Sequence, residues 1–427
     1  MITMSPATGS QASSSQVATS TPIAASPARV LSVDALRGIT IAFMILVNDP
    51  GDWSHVYTQL DHAPWNGWTL TDLVFPSFLF VVGMSIIFSF QSRIARSPSG
   101  TLDQATRRNL ALHLFRRAAI IFAIKMFLSA YPHFHLAHIR IYGVLTRIAL
   151  CYLLAGLIFL YVRSAKSLVA ITAALLIGYW LLMRLVPIPG LGAPIRDFPI
   201  LDPDRNLAAW IDRAVSGFTL STIHMGRLYQ KTRDPEGLLS TLPAVATTLF
   251  GILAALYLKQ KSRVPHASSL RHGIPLPLAG LISLTLGLLW NPWFPINKNL
   301  WTSSYVLFAG GWSLLLLALF YWLFDTLQLQ QRSRAARALV WPLLVYGSNA
   351  IAAFVISEFI VLSLIAWKLS PATPGARPQT AWAWLYTHLF AAHGSTENTS
   401  LAFALVYVVV CFLPNWLLWR RKIFLRV

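Results

Sequence analysis

The feature that most constrains this chain is a succession of long apolar runs separated by short polar segments. The hydrocarbon core of a bilayer is ~30 Å thick, and a helix needs about 20 apolar residues to cross it. Runs of this kind lie at 34–49, 69–91, 110–130, 139–162, 167–186, 238–258, 273–290, 301–324, 340–366 and 400–419. The sequence therefore predicts an all-α polytopic membrane protein with about ten transmembrane helices.

The composition argues against the other main classes of protein. Hydrophobic residues make up 56% of the chain and charged residues only 11%, against roughly 25% charged in an ordinary soluble domain. Nucleic acid is not expected as a partner, because binding it needs a solvated basic face on a normal core. Cys151 and Cys411 both lie in apolar runs, so we expect no disulfide framework.

The charges are distributed unevenly between the two sets of loops. Of the 34 Lys and Arg residues, 20 lie at the termini and in alternate loops, with only Asp103 and Asp325 as acidic neighbours. Lys and Arg mark cytoplasmic loops, so we predict that the N-terminus and the C-terminus are both cytoplasmic. Some of these cations can also serve anionic lipid or a phosphorylated cofactor.

The chain is expected to consist of one tail and one membrane domain. Residues 1–28 are rich in Ser, Ala, Thr and Pro without periodicity, which predicts a disordered tail. Residues 29–427 are expected to form the transmembrane domain. Within it, 187–237 is rich in Pro, Gly and Asp and is predicted to be an ordered extracytoplasmic loop, too short and polar for an independent domain.

The densest group of polar residues lies between the first two predicted helices, on the outer side. Polar groups near membrane depth are functional candidates because burying them is costly. His62 lies there among acidic and amide residues, and a histidine in such surroundings suits general acid–base catalysis. The structural alternative is an interfacial loop with Trp anchors and a capping Asp.

The segment SVDALRG at 32–38 is followed by Asn48 and then by HAPWNGWTLTDLVFP at 62–76. In this order, these residues resemble the heparan-α-glucosaminide N-acetyltransferase family. Similar segments follow at 143–149, 234–243, 295–305 and 347–350, so that the resemblance covers about residues 30–420. The chain looks like the bacterial form of the family, which implies a multi-pass protein of the bacterial inner (cytoplasmic) membrane.

The resemblance implies a transmembrane acetyl transfer. Acetyl-CoA would be the cytoplasmic donor, and the acceptor would be the amine of glucosamine or of a glucosamine-terminated sugar on the outer side. The catalytic histidine of the family corresponds to His62 and its partner asparagine to Asn48. An amino-sugar transporter and an O-acyltransferase of a cell-envelope glycan are the alternative functions.

Elementary chemistry assigns roles to the same residues. An amine attacks a thioester only when neutral, so a base is needed, and His62 can be oriented by Asp49, Asp61 or Asp72. The oxyanion needs a donor, which Asn48 or Asn66 can supply. His62 can instead act as a nucleophile, but we expect direct transfer, because a long pantetheine arm reaching one deep site makes a covalent relay unnecessary.

The phosphates of CoA require cations or helix N-termini on the cytoplasmic half. Arg37 is the first candidate, with a local Asp34–Arg37 ion pair as the alternative. Arg147 lies inside the fourth run, where a CoA pocket and a structural ion pair with Glu358 are both open. Asn349 lies nine residues into the ninth run, where its buried amide predicts a cavity.

Several outer residues are candidates for binding the sugar. Carboxylates, amides, a lysine and aromatic faces are the groups that recognise amino sugars, and the alternatives are helix capping and an aromatic belt. The candidates are Asp49, Trp65, Asn66, Asp234, Glu236, Asn297, Lys298, Asn299 and Trp301.

The remaining expectations concern metals and partners. His133, His135 and His138 alternate in a short outer segment without nearby Cys or acidic ligands, so they are interpreted as interfacial and no metal is expected. Membrane lipid is an expected partner, and a homo-oligomer is left open.

Overall fold

The computed structural model describes residues 30–97, 101–135, 139–223, 226–262, 275–370 and 378–425. The predicted tail at 1–28 lies outside the described residues. The helices are α1 (Leu31–Asn48), α2 (Val74–Ala95), α3 (Gln104–Ala130), α4 (Val144–Tyr161), α5 (Ala165–Leu185), α6 (Leu207–Ile223), α7 (Thr241–Ser262), α8 (Pro275–Trp290), α9 (Ser303–Phe320), α10 (Leu329–Arg332), α11 (Arg334–Ser348), α12 (Ala350–Ala366), α13 (Ala381–Leu389) and α14 (Glu397–Arg420).

Four short elements complete the described structure. A 3₁₀ helix at Thr71–Leu73 leads directly into α2, and a π-helix at Tyr321–Thr326 extends α9. The strands β1 (Lys368–Leu369) and β2 (Gln379–Thr380) pair antiparallel between α12 and α13.

The described residues confirm an all-α polytopic membrane protein. Seven helical segments are long and apolar enough to cross a membrane, and eight if α11 and α12 together form one bent span. The seven are Leu31–Asn48, Thr71–Ala95, Val144–Tyr161, Ala165–Leu185, Thr241–Gln260, Ser303–Thr326 and Glu397–Arg420. The orientation of the termini stays a prediction.

Two predicted spans are less clear in the structure. The run at 110–130 belongs to α3, which carries Arg107, Arg108, Arg116, Arg117 and Lys125 and is therefore too charged to count as a candidate span. The run at 273–290 corresponds to α8, which is apolar but only 16 residues long.

The prediction of one continuous helix over 340–366 is wrong. α11 and α12 meet at an angle of 82°, and Asn349 lies at the junction with φ −134° and ψ 44°. Asn349 therefore lies between two helices rather than nine residues into one. The preceding Gly347 lies so close to α1 that an added Cβ would overlap the carbonyl oxygen of Asp34. Hydrophobic periodicity does not reveal such a bend, because both arms are apolar.

The core forms where α1, α2, α4, α7 and α9 pack together. Leu36, Phe80, Tyr152, Leu249 and Tyr305 are among its buried side chains, one from each helix. The 187–237 segment contains α6 and packs against a second apolar cluster that includes Tyr179 of α5 and Phe294. Leu73 of the 3₁₀ helix belongs to the first cluster, and Phe294 and Leu300 of the loop at 291–302 belong to the second, so buried side chains anchor both segments.

Candidate active site

A histidine–aspartate pair lies at the start of α2. His62 Nδ1 is 2.7 Å from Asp72 Oδ1, and the side chain of His62 is 40% exposed whereas that of Asp72 is 1% exposed. Among the three predicted orienting carboxylates, Asp72 contacts the ring. Asp61 instead accepts a hydrogen bond from the backbone N–H of His62, at 2.7 Å.

Local backbone geometry holds Asp72 in place. Its Oδ2 accepts hydrogen bonds from the N–H groups of Ala63 and Thr69, each at 3.1 Å, and from the Thr69 hydroxyl at 3.2 Å. The buried Tyr305 hydroxyl donates to the carbonyl oxygen of Asp72. A carboxylate with this many donors stays ionised and oriented, so Asp72 fixes the plane of the His62 ring.

The second ring nitrogen of His62 faces a lysine. Lys298 Nζ is 3.5 Å from His62 Nε2. A carboxylate can only accept, so the proton of the neutral ring lies on Nδ1 and is donated to Asp72. Nε2 is then the basic nitrogen, and its lone pair points towards Lys298.

The loop that carries Lys298 is tied to the loop that carries His62. Asn297 is fully buried, and its Nδ2 donates to Asn66 Oδ1 at 3.1 Å. Its Oδ1 accepts from the N–H of Leu300 at 2.9 Å. Gly67 N–H also donates to the carbonyl oxygen of Ile296 at 2.8 Å. The predicted substrate residues Asn66, Asn297 and Lys298 are therefore brought together with His62.

Trp301 and Arg147 occupy structural positions different from those predicted. Trp301 is fully buried with φ 51°, so its faces are not exposed at a sugar-binding rim. Arg147 lies in the first turn of α4 and packs its guanidinium 4.9 Å from the centre of the Trp301 ring. Arg147 also donates to the Gly237 carbonyl at 3.1 Å and to the Ser240 hydroxyl. Its partners are thus Trp301, Gly237 and Ser240 rather than Glu358.

The carboxylates of Asp234 and Glu236 are held by Arg140. Arg140 Nε donates to Asp234 Oδ2 at 2.7 Å and Nη2 to Asp234 Oδ1 at 2.6 Å, and Nη2 also donates to Glu236. Burial raises the pKa of Glu236, but the charges of Arg140, Lys298 and Arg147 outweigh it and lower that pKa below its ordinary value. Asp234 and Glu236 do not cap α7, which begins at Thr241. Arg140 was missed because nothing in its sequence surroundings distinguishes it from other loop arginines.

The structure places the remaining candidates in different surroundings. Trp65 donates from Nε1 to the Leu201 carbonyl at 2.8 Å, and Arg233 lies 4.8 Å from the centre of its ring. Asn48 is the last residue of α1. In the described range 30–97, which contains both residues, no hydrogen bond joins Asn48 to His62. Asp49 follows Asn48 and is buried, which raises its pKa well above the ordinary value. Asn299 is half-buried beside Lys298.

A second site lies towards the opposite end of α2. It is a cavity of about 560 Å³ between α1, α2, α3, α4 and the α11–α12 junction. Arg37 lines it and donates to Asp34 at 3.0 Å, to the Gly347 carbonyl at 3.2 Å and to the Ser85 hydroxyl at 2.9 Å. Arg37 therefore forms the local ion pair and also lines the cavity, and its role in binding CoA phosphates stays a prediction.

Asn349 lies at the wall of the same cavity. Its Nδ2 donates to the Ile423 carbonyl at 3.0 Å, and its Oδ1 accepts from the N–H of Leu425 at 2.8 Å. Phe424 and Leu425 line the cavity beside it. The buried amide is thus satisfied by the C-terminal segment, and the cavity predicted from its position is present.

Four further basic side chains line the cavity, three of them arginines of the loops predicted to be cytoplasmic. They are Arg93, Arg96, His113 and Arg117. Ser85, Ser89 and Ser92 lie on the same side of α2 as the first two arginines, at spacings of three and four residues. Such spacing places residues on one helix face, so this polar stripe was the signal that could have revealed the cavity.

The two sites are connected along α2. The cavity wall includes Phe78 and extends to Arg93, which is about 22 Å at a helical rise of about 1.5 Å per residue. Phe78 is six residues beyond Asp72, or about 9 Å along the same axis. A cationic cavity at one end of the helix therefore extends towards the His62–Asp72 pair at the other.

The histidine run at 133–138 is only partly covered by the described residues. No group of three or more His, Cys, Asp or Glu side chains that could hold a metal ion lies within them. His133 and His135 stack with ring centres 6.1 Å apart, and His138 lies outside the described residues.

The fold and the two sites define a multi-pass helical membrane protein with a histidine–aspartate pair at one end and a cationic cavity towards the other. The family model described as heparan-alpha-glucosaminide N-acetyltransferase, catalytic, matches residues 29–292, more than half of the chain. The chain belongs to this family.

Two curated relatives are similar over most of this chain. The heparan-alpha-glucosaminide N-acetyltransferase of Homo sapiens is 30% identical over 340 residues, covering 70% of this chain and 49% of the human protein. That of Mus musculus is 27% identical over 333 residues, covering 69% and 49% respectively. The chain spans about half the length of the curated relatives it matches.

Proposed function

We propose that this protein is a membrane N-acetyltransferase. It transfers the acetyl group of acetyl-CoA to the amine of glucosamine or a glucosamine-terminated sugar, with His62 as general base. Family membership supports the reaction class, and the contact of His62 with buried Asp72 is the observation that carries the assignment of the base. The proposal places the protein in the bacterial inner membrane, with both termini cytoplasmic and the sugar on the outer side.

The outer site supplies the proton chemistry. The sugar ammonium loses a proton to His62 Nε2, and the neutral amine attacks the thioester carbon. Asp72 stabilises the imidazolium that forms, as a buried carboxylate does for a catalytic histidine. The C–S bond breaks, and the products are the N-acetyl sugar, CoA thiol and one proton. Asn48 and Asn66 are the candidates to donate to the oxyanion.

The cavity is proposed as the donor site. Arg37, Arg93, Arg96 and Arg117 offer the charge that CoA phosphates require. The length of the cavity along α2 suits an extended pantetheine arm that brings the thioester towards His62. Asn349 and its contacts with the C-terminal segment form part of this wall. The proposal includes direct transfer, because a cavity that extends towards His62 would let donor and acceptor meet at one point.

The test measures thiol release by the purified full-length protein in detergent, with acetyl-CoA and glucosamine. We expect His62→Ala to lower the rate about 100-fold or more, the usual contribution of a general base. His55→Ala is the matched control, because His55 Nδ1 also lies 2.7 Å from a carboxylate, that of Asp52 in the same outer loop. The control should keep its activity, and equal rates for the two variants would remove His62 from the mechanism.

The alternative functions predict different results in the same experiment. A transporter would release no thiol with any amino sugar but would move the sugar into vesicles. An O-acyltransferase would release thiol with sugars that lack a free amine. Dependence of the rate on the free amine therefore separates the proposed N-acetyltransferase from both.

A further inference from the structure

Lys298 brings a primary amine to the basic nitrogen of His62. Its Nζ is 3.5 Å from His62 Nε2. The attacking group of a glucosamine acceptor is also a primary amine, and general-base catalysis requires that amine to lie within hydrogen-bond reach of the base. Lys298 thus presents the functional group of the acceptor at the atom that must deprotonate it.

The backbone around Lys298 is held in this position. The preceding Asn297 is buried, and its side chain contacts Asn66 and Leu300. The backbone N–H of Asn297 donates to the Thr302 hydroxyl at 3.1 Å. The following Trp301 is buried against Thr247 and Arg147. The lysine therefore extends from a rigid loop, and only its side chain is free to adjust.

The charges around Lys298 suit an ammonium group. Asp72 and Glu236 both interact electrostatically with it, and neither carboxylate is exposed. Arg140 holds the carboxylate of Glu236 in place. The negative charge of Glu236 therefore keeps its position when the Lys298 side chain moves. An acceptor sugar ammonium entering beside His62 would meet the same two carboxylates.

We propose that Lys298 Nζ occupies the position of the acceptor amine and that it becomes acetylated by acetyl-CoA when no amino sugar is bound. The inference rests on the proposed function, because it requires the thioester to reach His62. It assigns a covalent modification site to the enzyme itself.

The reaction is the same transfer with a different nucleophile. His62 Nε2 takes a proton from the Lys298 ammonium, and Nζ attacks the thioester carbon. The C–S bond breaks, an amide C–N bond forms, and the thiolate leaves as CoA thiol after taking up a proton. Acetylation removes the positive charge of Lys298 and fills the space beside Nε2. The modified protein should therefore be inactive towards sugars, and bound glucosamine should protect it.

The experiment incubates the purified full-length protein with acetyl-CoA carrying an isotope-labelled acetyl group, followed by peptide mass spectrometry. We expect label on Lys298, and we expect bound glucosamine to slow the labelling. In His62→Ala the labelling of Lys298 should be slower by about 100-fold or more. Lys231 is the internal control for uncatalysed acetylation, since it is exposed and lies in the 187–237 segment. Lys298→Arg should lose the labelled site.

The outcomes separate this inference from the proposed function. Thiol release with glucosamine together with an unlabelled Lys298 would overturn the inference alone. Equal labelling of Lys298 in His62→Ala, or labelling that merely matches Lys231, would also overturn it. Absence of both glucosamine acetylation and Lys298 labelling would contradict the proposed function and this inference together.

Discussion

At the scale of single residues, burial separates two similar histidine–aspartate pairs. His62 and His55 each place Nδ1 2.7 Å from a carboxylate, but the Asp72 side chain is 1% exposed and that of Asp52 is 28% exposed. Hydrogen bonds from Ser395, Ser54 and His55 lower the pKa of Asp52 to about 2. Water screens an exposed pair far more than a buried one, so the stronger orientation and charge stabilisation belong to His62.

A substitution of Arg93, which lines the proposed donor cavity, tests whether the CoA phosphates bind there. A charge-assisted hydrogen bond to a phosphate contributes about 1.5–3 kcal/mol, so Arg93→Gln should raise the KM for acetyl-CoA about tenfold or more and change kcat less. Arg332→Gln is the matched control, because Arg332 is exposed and does not line the cavity. Equal KM values for the two variants would contradict the placement of the phosphates. The measurement is thiol release over a range of acetyl-CoA concentrations.

The ion-pair cluster of Arg140, Asp234 and Glu236 can be tested by substituting its arginine. Arg140→Gln leaves the buried carboxylates of Asp234 and Glu236 without their partner, which should cost about 3–5 kcal/mol of folding free energy. We therefore expect a clearly lower Tm in detergent. Arg196→Gln is the control, because the Arg196–Asp197 pair is exposed and surface pairs contribute little. A Tm for Arg140→Gln equal to that of the control would show that the cluster is not structural.

Sequence reasoning reached part of the site at this scale. Motif order and chemistry selected His62, Asp72, Asn66, Asn297 and Lys298, which the structure brings together. It did not select Arg140, and it left the partner of Arg147 open. Which residue faces a buried arginine depends on packing between helices that are distant in the chain, and no local pattern encodes it.

At the scale of elements, the junction of α11 and α12 shapes the cavity. Each of the ten predicted apolar runs overlaps a helix or the bent pair, so hydrophobic length predicted where helices form, although the runs at 110–130 and 273–290 do not qualify as candidate spans. It could not show the 82° bend, nor α6 and α13, which lie in segments predicted only as loops. Bends and interfacial helices depend on packing contacts rather than on span length.

The close approach of α1 and α11 offers a prediction at this scale. A Cβ added at Gly38 would overlap the backbone carbonyl of Leu343, so Gly38→Ala must push the helices apart. We expect a loss of about 1–3 kcal/mol and a lower Tm in detergent. Gly178→Ala in α5 is the matched control, since an added Cβ there meets no atom within 4 Å. An unchanged Tm for Gly38→Ala would contradict the packing of these helices.

At the scale of the whole molecule, charge and chemistry are divided between the two ends of the bundle. The cationic cavity lies towards one end of α2, and the His62–Asp72 pair lies at the other. The uneven distribution of Lys and Arg predicts that the cavity end is cytoplasmic. With this orientation, donor and acceptor must enter from opposite sides of the membrane.

The most direct test uses the protein reconstituted into sealed vesicles, with glucosamine trapped inside and acetyl-CoA added outside. Molecules whose cavity end faces outwards should produce N-acetylglucosamine inside the vesicles and CoA thiol outside, and His62→Ala should abolish both products. Product that forms only when acetyl-CoA and glucosamine are on the same side would contradict transfer across the membrane.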